Sequence, residues 1–116
     1  MTISERNVGG VHVLDVEGPI TLGAGGADML ATRVRSLLQQ DFKRIVVNLA
    51  GVPYMDSAGL GELVQAFATA ARQGGSLKLL GLAKKLRDLL VITKLATVFE
   101  IFDDETQATA SFGAAV

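Results

Sequence analysis

Val52-Pro53-Tyr54-Met55-Asp56-Ser57-Ala58-Gly59-Leu60-Gly61-Glu62-Leu63 follows the apolar run Ile45-Val46-Val47-Asn48-Leu49 and opens a stretch with Leu60, Leu63, Val64, Phe67, Ala70 and Ala71 on one helical face. The apolar run predicts a buried strand, and the later spacing predicts a helix of period 3.6. Asp56-Ser57 therefore marks the handover from strand to helix. Either residue suits the N-cap, where a short side-chain oxygen accepts a bond from an orphaned backbone N–H. A serine there is presented outward, at the positive end of the helix dipole. Gly59 and Gly61 fall within the first turns of the predicted helix, where each costs about 1 kcal/mol relative to alanine. Two reasons offset that cost: a loop packed tightly on the helix, or another surface approaching its backbone. Met55 is expected in the core. Tyr54, the only tyrosine, is either a packed ring or an interface anchor.

Upstream, Val11-His12-Val13-Leu14-Asp15-Val16 is rich in β-branched residues and predicts a strand. Gly9-Gly10 turns it back on a shorter strand near Ile3 to Val8. Gly18-Pro19 ends the strand, and Gly23-Ala24-Gly25-Gly26 is a loop. Leu30, Val34, Leu37 and Leu38 give an amphipathic helix from Ala27 to Gln40. Downstream, the central helix runs from Ser57 or Ala58 to about Gln73, and Gly74-Gly75 stops it. Leu77 to Leu80 is a strand, Ala83 to Val91 a helix marked by Leu86, Leu89 and Leu90, and Val98 to Phe102 a last strand. Asp103 and Asp104 cap a terminal helix through Phe112, ahead of a frayed tail, Gly113 to Val116. The order β, β, α, β, α, β, α, β, α predicts an α/β fold: a small, mainly parallel sheet opened by an antiparallel hairpin.

The chain has 116 residues, the size of one domain, and no internal repeat or linker, so residues 1–116 are expected to form a single domain. Apolar residues make up 49% of the chain, which supplies one core. A formal net charge of −1 gives no electrostatic footprint for nucleic acid. The start, Met1 to Arg6, lacks the apolar centre of a signal peptide. No apolar run approaches the roughly 20 residues that span a bilayer. With no cysteine, the expectation is a soluble cytoplasmic protein without membrane insertion.

The catalytic inventory is thin. His12 is the only histidine and sits mid-strand as a sheet-face residue. Nothing places it near Ser57 for a Ser–His–Asp triad. No carboxylate shows metal-ligand spacing, so no metal or cofactor is expected. Asp56 and Glu62 have the positions to converge on a ligand, but acidic residues at a helix start ordinarily complement the dipole. Gly23 to Gly26 lacks the lysine and hydroxyl of a phosphate loop. Lys84, Lys85 and Arg87 form a solvated helix face.

Val46-Val47-Asn48-Leu49 followed by Met55-Asp56-Ser57-Ala58-Gly59-Leu60-Gly61 resembles the core motif of STAS domains, specifically the bacterial anti-sigma-factor antagonists. Gly74-Gly75-Ser76-Leu77-Lys78-Leu79-Leu80 and Val98-Phe99-Glu100-Ile101-Phe102-Asp103 also match, so the resemblance extends from about Val11 to Phe112. It implies a sheet of four to five strands with four helices packed mainly on one side. It also implies a non-catalytic switch. The unphosphorylated protein binds an anti-sigma factor that is also a serine kinase; phosphorylation of the serine at Ser57 releases it, and a metal-dependent serine phosphatase resets it. Asp56 matches the acidic residue before that serine. The expected docking surface comprises Tyr54, Met55, Ala58, Gly59, Gly61 and Glu62. Two positions depart from the pattern: Asn48 stands where many members have aspartate, and the loop Gly18 to Gly23, expected near the serine, lacks the usual acidic residue. Readings from other classes are a nucleotide- or small-anion-binding domain using the helix N-terminus, and a STAS subunit of a stress-signalling or transporter complex.

Overall fold

The computed structural model describes residues 1–21 and 29–112. The predicted loop Gly23 to Gly26, the predicted first helix start at Ala27 and the tail from Gly113 lie outside them. Among the described residues, five strands form one sheet in the order β1 (Thr2–Val8), β2 (Val11–Glu17), β3 (Arg44–Gly51), β4 (Ser76–Leu80), β5 (Ile101–Phe102). β1 and β2 are antiparallel, with Val8 opposite Val11. Gly9 and Gly10 between them take φ values of 59° and 88°, as a two-residue type I′ turn requires. The remaining pairings, β2 with β3, β3 with β4 and β4 with β5, are parallel, so each connection crosses over through helical structure.

Alternation along the strands sorts the core into two layers. Leu14 and Val16 of β2, Ile45, Val47 and Leu49 of β3, and Leu77 and Leu79 of β4 pack beneath three helices: α1 (Met29–Gln39), α2 (Ser57–Arg72) and α3 (Lys84–Ile92). The opposite face carries Val11, Val13, Val46 and Leu80, covered by Ala108 of α4 (Glu105–Ala110) with Phe102 and Phe112. Three helices thus lie on one side and one short helix on the other. The buried stripe of α2 is Leu63, Ala66, Thr69 and Ala70; Ala71, predicted to share it, is exposed.

The last strand is shorter than predicted. Lys94 takes φ 64°, and Leu95–Thr97 forms a 3-10 turn before Ile101–Phe102 joins the sheet. The reason is Phe99. Its ring turns into the helical layer, 5% exposed, edge-on to Phe67 at a centroid distance of 4.9 Å. A residue committed to that layer draws its neighbours off the sheet edge. His12 is buried and stacks on Phe42 at 4.1 Å. It pairs with Ile45 near the start of β3, whereas Ser57 follows the end of that strand, so the two lie at opposite ends of the sheet.

Candidate functional site

β3 ends at Gly51, whose carbonyl accepts from Gly18 N at 3.0 Å. The two loops leaving β2 and β3 then run side by side. Ile20 and Met55 form an isolated parallel bridge. Ile20 N donates to the Tyr54 carbonyl at 3.1 Å, and Asp56 N donates to the Ile20 carbonyl at 3.3 Å. The loop after β2 thereby reaches the start of α2, the placement expected for Gly18 to Gly23 as far as Thr21.

The N-cap is Asp56. Its backbone is extended (φ −94°, ψ −175°) and its Oδ1 accepts from Gly59 N at 2.8 Å. Ser57 is the first helical residue, exposed, and among the described residues its hydroxyl has no hydrogen-bond partner. Capping is thus assigned to the aspartate, and the serine stands outward in the first turn, where backbone N–H groups lack intrahelical acceptors and the dipole favours negative charge.

The two glycines have different causes. At Gly59 a Cβ would meet the Ile20 carbonyl oxygen at 1.9 Å, whereas at Gly61 nothing lies within 4 Å. Gly59 is the price of seating one loop against the helix. Gly61 is exposed and leaves a bare patch of helix backbone facing outward. Burial divides the expected docking set. Met55 is 5% exposed and belongs to the core. Gly59 lies under Ile20. Glu62 is 4% exposed, and its Oε1 accepts from Leu30 N, so it caps α1 from across the helix pair. Tyr54, 56% exposed, half-buried Ala58 and exposed Gly61 remain at the surface with Ser57. Asp56 caps α2, and Glu62 accepts from Leu30 N of α1.

On the α4 face, Arg6 bridges Asp15 and Glu105, with contacts of 2.6 Å to each. Asn48 Nδ2 donates to Asp15 Oδ1 at 2.8 Å, and Asn48 Oδ1 accepts from Ala50 N at 3.1 Å. The Arg6 guanidinium holds the Asp15 carboxyl below its usual range; partial burial opposes this and the Asn48 amide adds to it. The asparagine that departs from the family pattern is thus matched to a neighbouring carboxylate, where an aspartate would repel it. Lys78, 8% exposed, donates to Ser111 O at 3.1 Å and Oγ at 2.9 Å, past the end of α4, and pairs with Glu100 at 3.0 Å. These partners are far apart in sequence, and no local pattern announces them.

An open groove of 240 Å³ lies beside the site, lined by Tyr54 and Met55 and by Lys85, Leu86 and Leu89 of α3. Among the described residues, no group of three or more histidine, aspartate or glutamate side chains is placed to hold a metal, and no helix is long and apolar enough to cross a membrane.

A family model for the STAS domain matches residues 2–108. Over 53 residues the chain is 47% identical to the anti-sigma-B factor antagonist of Bacillus subtilis (strain 168). That match takes in 46% of this chain and spans about half of the relative, 49%. Among solved structures, an anti-sigma factor antagonist from Mycobacterium paratuberculosis superposes with a TM-score of 0.80 at 20% identity, covering 95% of this chain and 92% of that one. SpoIIAA, a Bacillus cell fate determinant in its phosphorylated form, superposes with a TM-score of 0.72 at 16% identity, covering 96% and 99%. At these identities the superpositions speak for the fold.

Proposed function

This chain is a member of the STAS domain family, and on that premise we propose that it is an anti-sigma-factor antagonist switched by phosphorylation of Ser57. It is a non-catalytic cytoplasmic binding protein. Unphosphorylated, it docks on an anti-sigma factor with serine kinase activity through the start of α2. The kinase phosphorylates Ser57 and the complex separates; a metal-dependent serine phosphatase restores the binding form. The B. subtilis relative bears the corresponding name, and the SpoIIAA structure is of a phosphorylated form.

The observation that supports this reading best is the division of labour at the helix start. Asp56 satisfies the helix, so the Ser57 hydroxyl is not required for capping and stands exposed to a kinase. Tyr54, Ala58 and Gly61 surround it as docking surface. The test is incubation with the organism's anti-sigma kinases and ATP, followed by intact mass and peptide mapping. One phosphate on Ser57, absent in Ser57→Ala, is the expected result. Modification elsewhere, or none while the kinase phosphorylates a control substrate, contradicts the reading.

A further inference from the structure

The first turn of α3 breaks a local rule. It carries Lys84 and Lys85 and no acidic residue, and its N-cap, Ala83, makes no side-chain capping bond. Cations at the positive end of a helix dipole are unfavourable. Lys84 is offset by Asp88 at 3.1 Å, and Arg87, one turn on, pairs with Asp103. Lys85 has no carboxylate partner among the described residues. It lies instead on the groove whose other lining residues are Tyr54, Met55, Leu86 and Leu89. Local rules fail most often where function overrides stability.

We propose that this groove anchors the protein partner: a partner segment seats one apolar side chain between Tyr54 and Leu89 and sets an adjacent carboxylate on Lys85. The proposal rests on the function proposed above and extends its docking surface from α2 onto α3. Met55 and Leu86, 5% and 3% exposed, form an apolar floor. Tyr54 supplies an aromatic wall, and aromatic residues are enriched at binding hot spots. The volume, 240 Å³, falls below the roughly 300–1,000 Å³ usual for small-molecule sites and suits a single side chain. Lys85, exposed on the groove rim, is complementary to an acidic neighbour. Met55, which lines the groove, precedes Ser57 by two residues, and the proposal has one partner engage both.

Titration calorimetry with an anti-sigma factor that binds the wild-type chain tests this. Lys85→Glu and Leu89→Ala are each expected to weaken binding tenfold or more. Lys84→Glu, which changes net charge equally, is expected to weaken it less than threefold. Melting temperatures show whether each variant folds; Lys85→Glu puts an anion at the helix N-terminus and is expected to fold. If no anti-sigma factor binds the wild type, the functional reading falls and this proposal with it. If the wild type binds and Lys85→Glu and Leu89→Ala bind equally well, only the groove proposal is overturned. A wild-type dimer that dissociates in Leu89→Ala would assign the groove to a second copy and also overturn it.

Discussion

The carbonyl oxygen of Ile20 occupies the space where Gly59 would carry a side chain, 1.9 Å from an ideal Cβ. That carbonyl is held in place by Asp56 N, beside the helix cap. Gly59→Ala must push the loop after β2 away from α2. Overpacking of this kind costs about 1–3 kcal/mol, and we expect a lower denaturant midpoint at unchanged slope.

Gly61 gives the opposite sign. Space there is open, so Gly61→Ala relieves only the helix cost of glycine and is expected to stabilise by up to about 1 kcal/mol. Gly61→Arg also folds. If the proposed docking surface holds, it weakens partner binding by more than tenfold, about 1.4 kcal/mol, as read by calorimetry.

Glu62→Ala leaves Leu30 N–H without the carboxylate that accepts its bond. An orphaned buried donor costs about 1–3 kcal/mol. Glu62→Gln keeps an acceptor and is expected to lose less. Chemical denaturation of both variants measures the difference.

Asp15 titrates below its ordinary value because of Arg6 foremost. A depressed carboxyl stabilises the fold in full above the unfolded value, near 3.9, and this is lost as pH falls through the folded value. Arg6→Met should therefore flatten the acid limb of the stability curve. Asn48→Asp places a second carboxylate against Asp15. It should lower stability at neutral pH, with the deficit shrinking as pH falls toward about 4. Thermal melts across that range check both.

Periodicity made the core legible. Ile45 to Leu49, the α2 stripe and the Gly9-Gly10 turn each carry a local signature, and the alternation of strands with helices implies a mainly parallel sheet. Pattern also puts Ser57 at the strand-to-helix handover; its proposed phosphorylation rests on the family resemblance. Roles set by distant partners were not legible. Gly59 and Gly61 are the same residue type on the same helix, and only Ile20, far upstream, distinguishes them. Glu62 looks like an exposed helix acid until α1 packs against α2. Val98 to Phe102 has strand composition throughout, but Phe99 has more apolar contact to gain between helices than at a sheet edge. Lys84, Lys85 and Arg87 read in the sequence as one solvated face; the partner that tells Arg87 from Lys85, Asp103, lies beyond the helix.

Phosphorylation of Ser57 is expected to break binding without breaking the fold. A phosphoserine brings about −1.5 to −2 charges. At the first turn of α2 the dipole favours it by about 0.3–1 kcal/mol, and the Asp56 carboxylate opposes it, so the domain itself changes little. Under a partner the phosphate must be desolvated, which costs several kcal/mol without a counter-charge. The most direct measurement is the affinity of the anti-sigma factor for the unmodified chain and for the chain phosphorylated on Ser57, with circular dichroism and melting temperature of each. The expected result is about a thousandfold loss of affinity with both fold measures near those of the unmodified protein. Equal affinity of the two forms, or unfolding of the phosphorylated one, would contradict it.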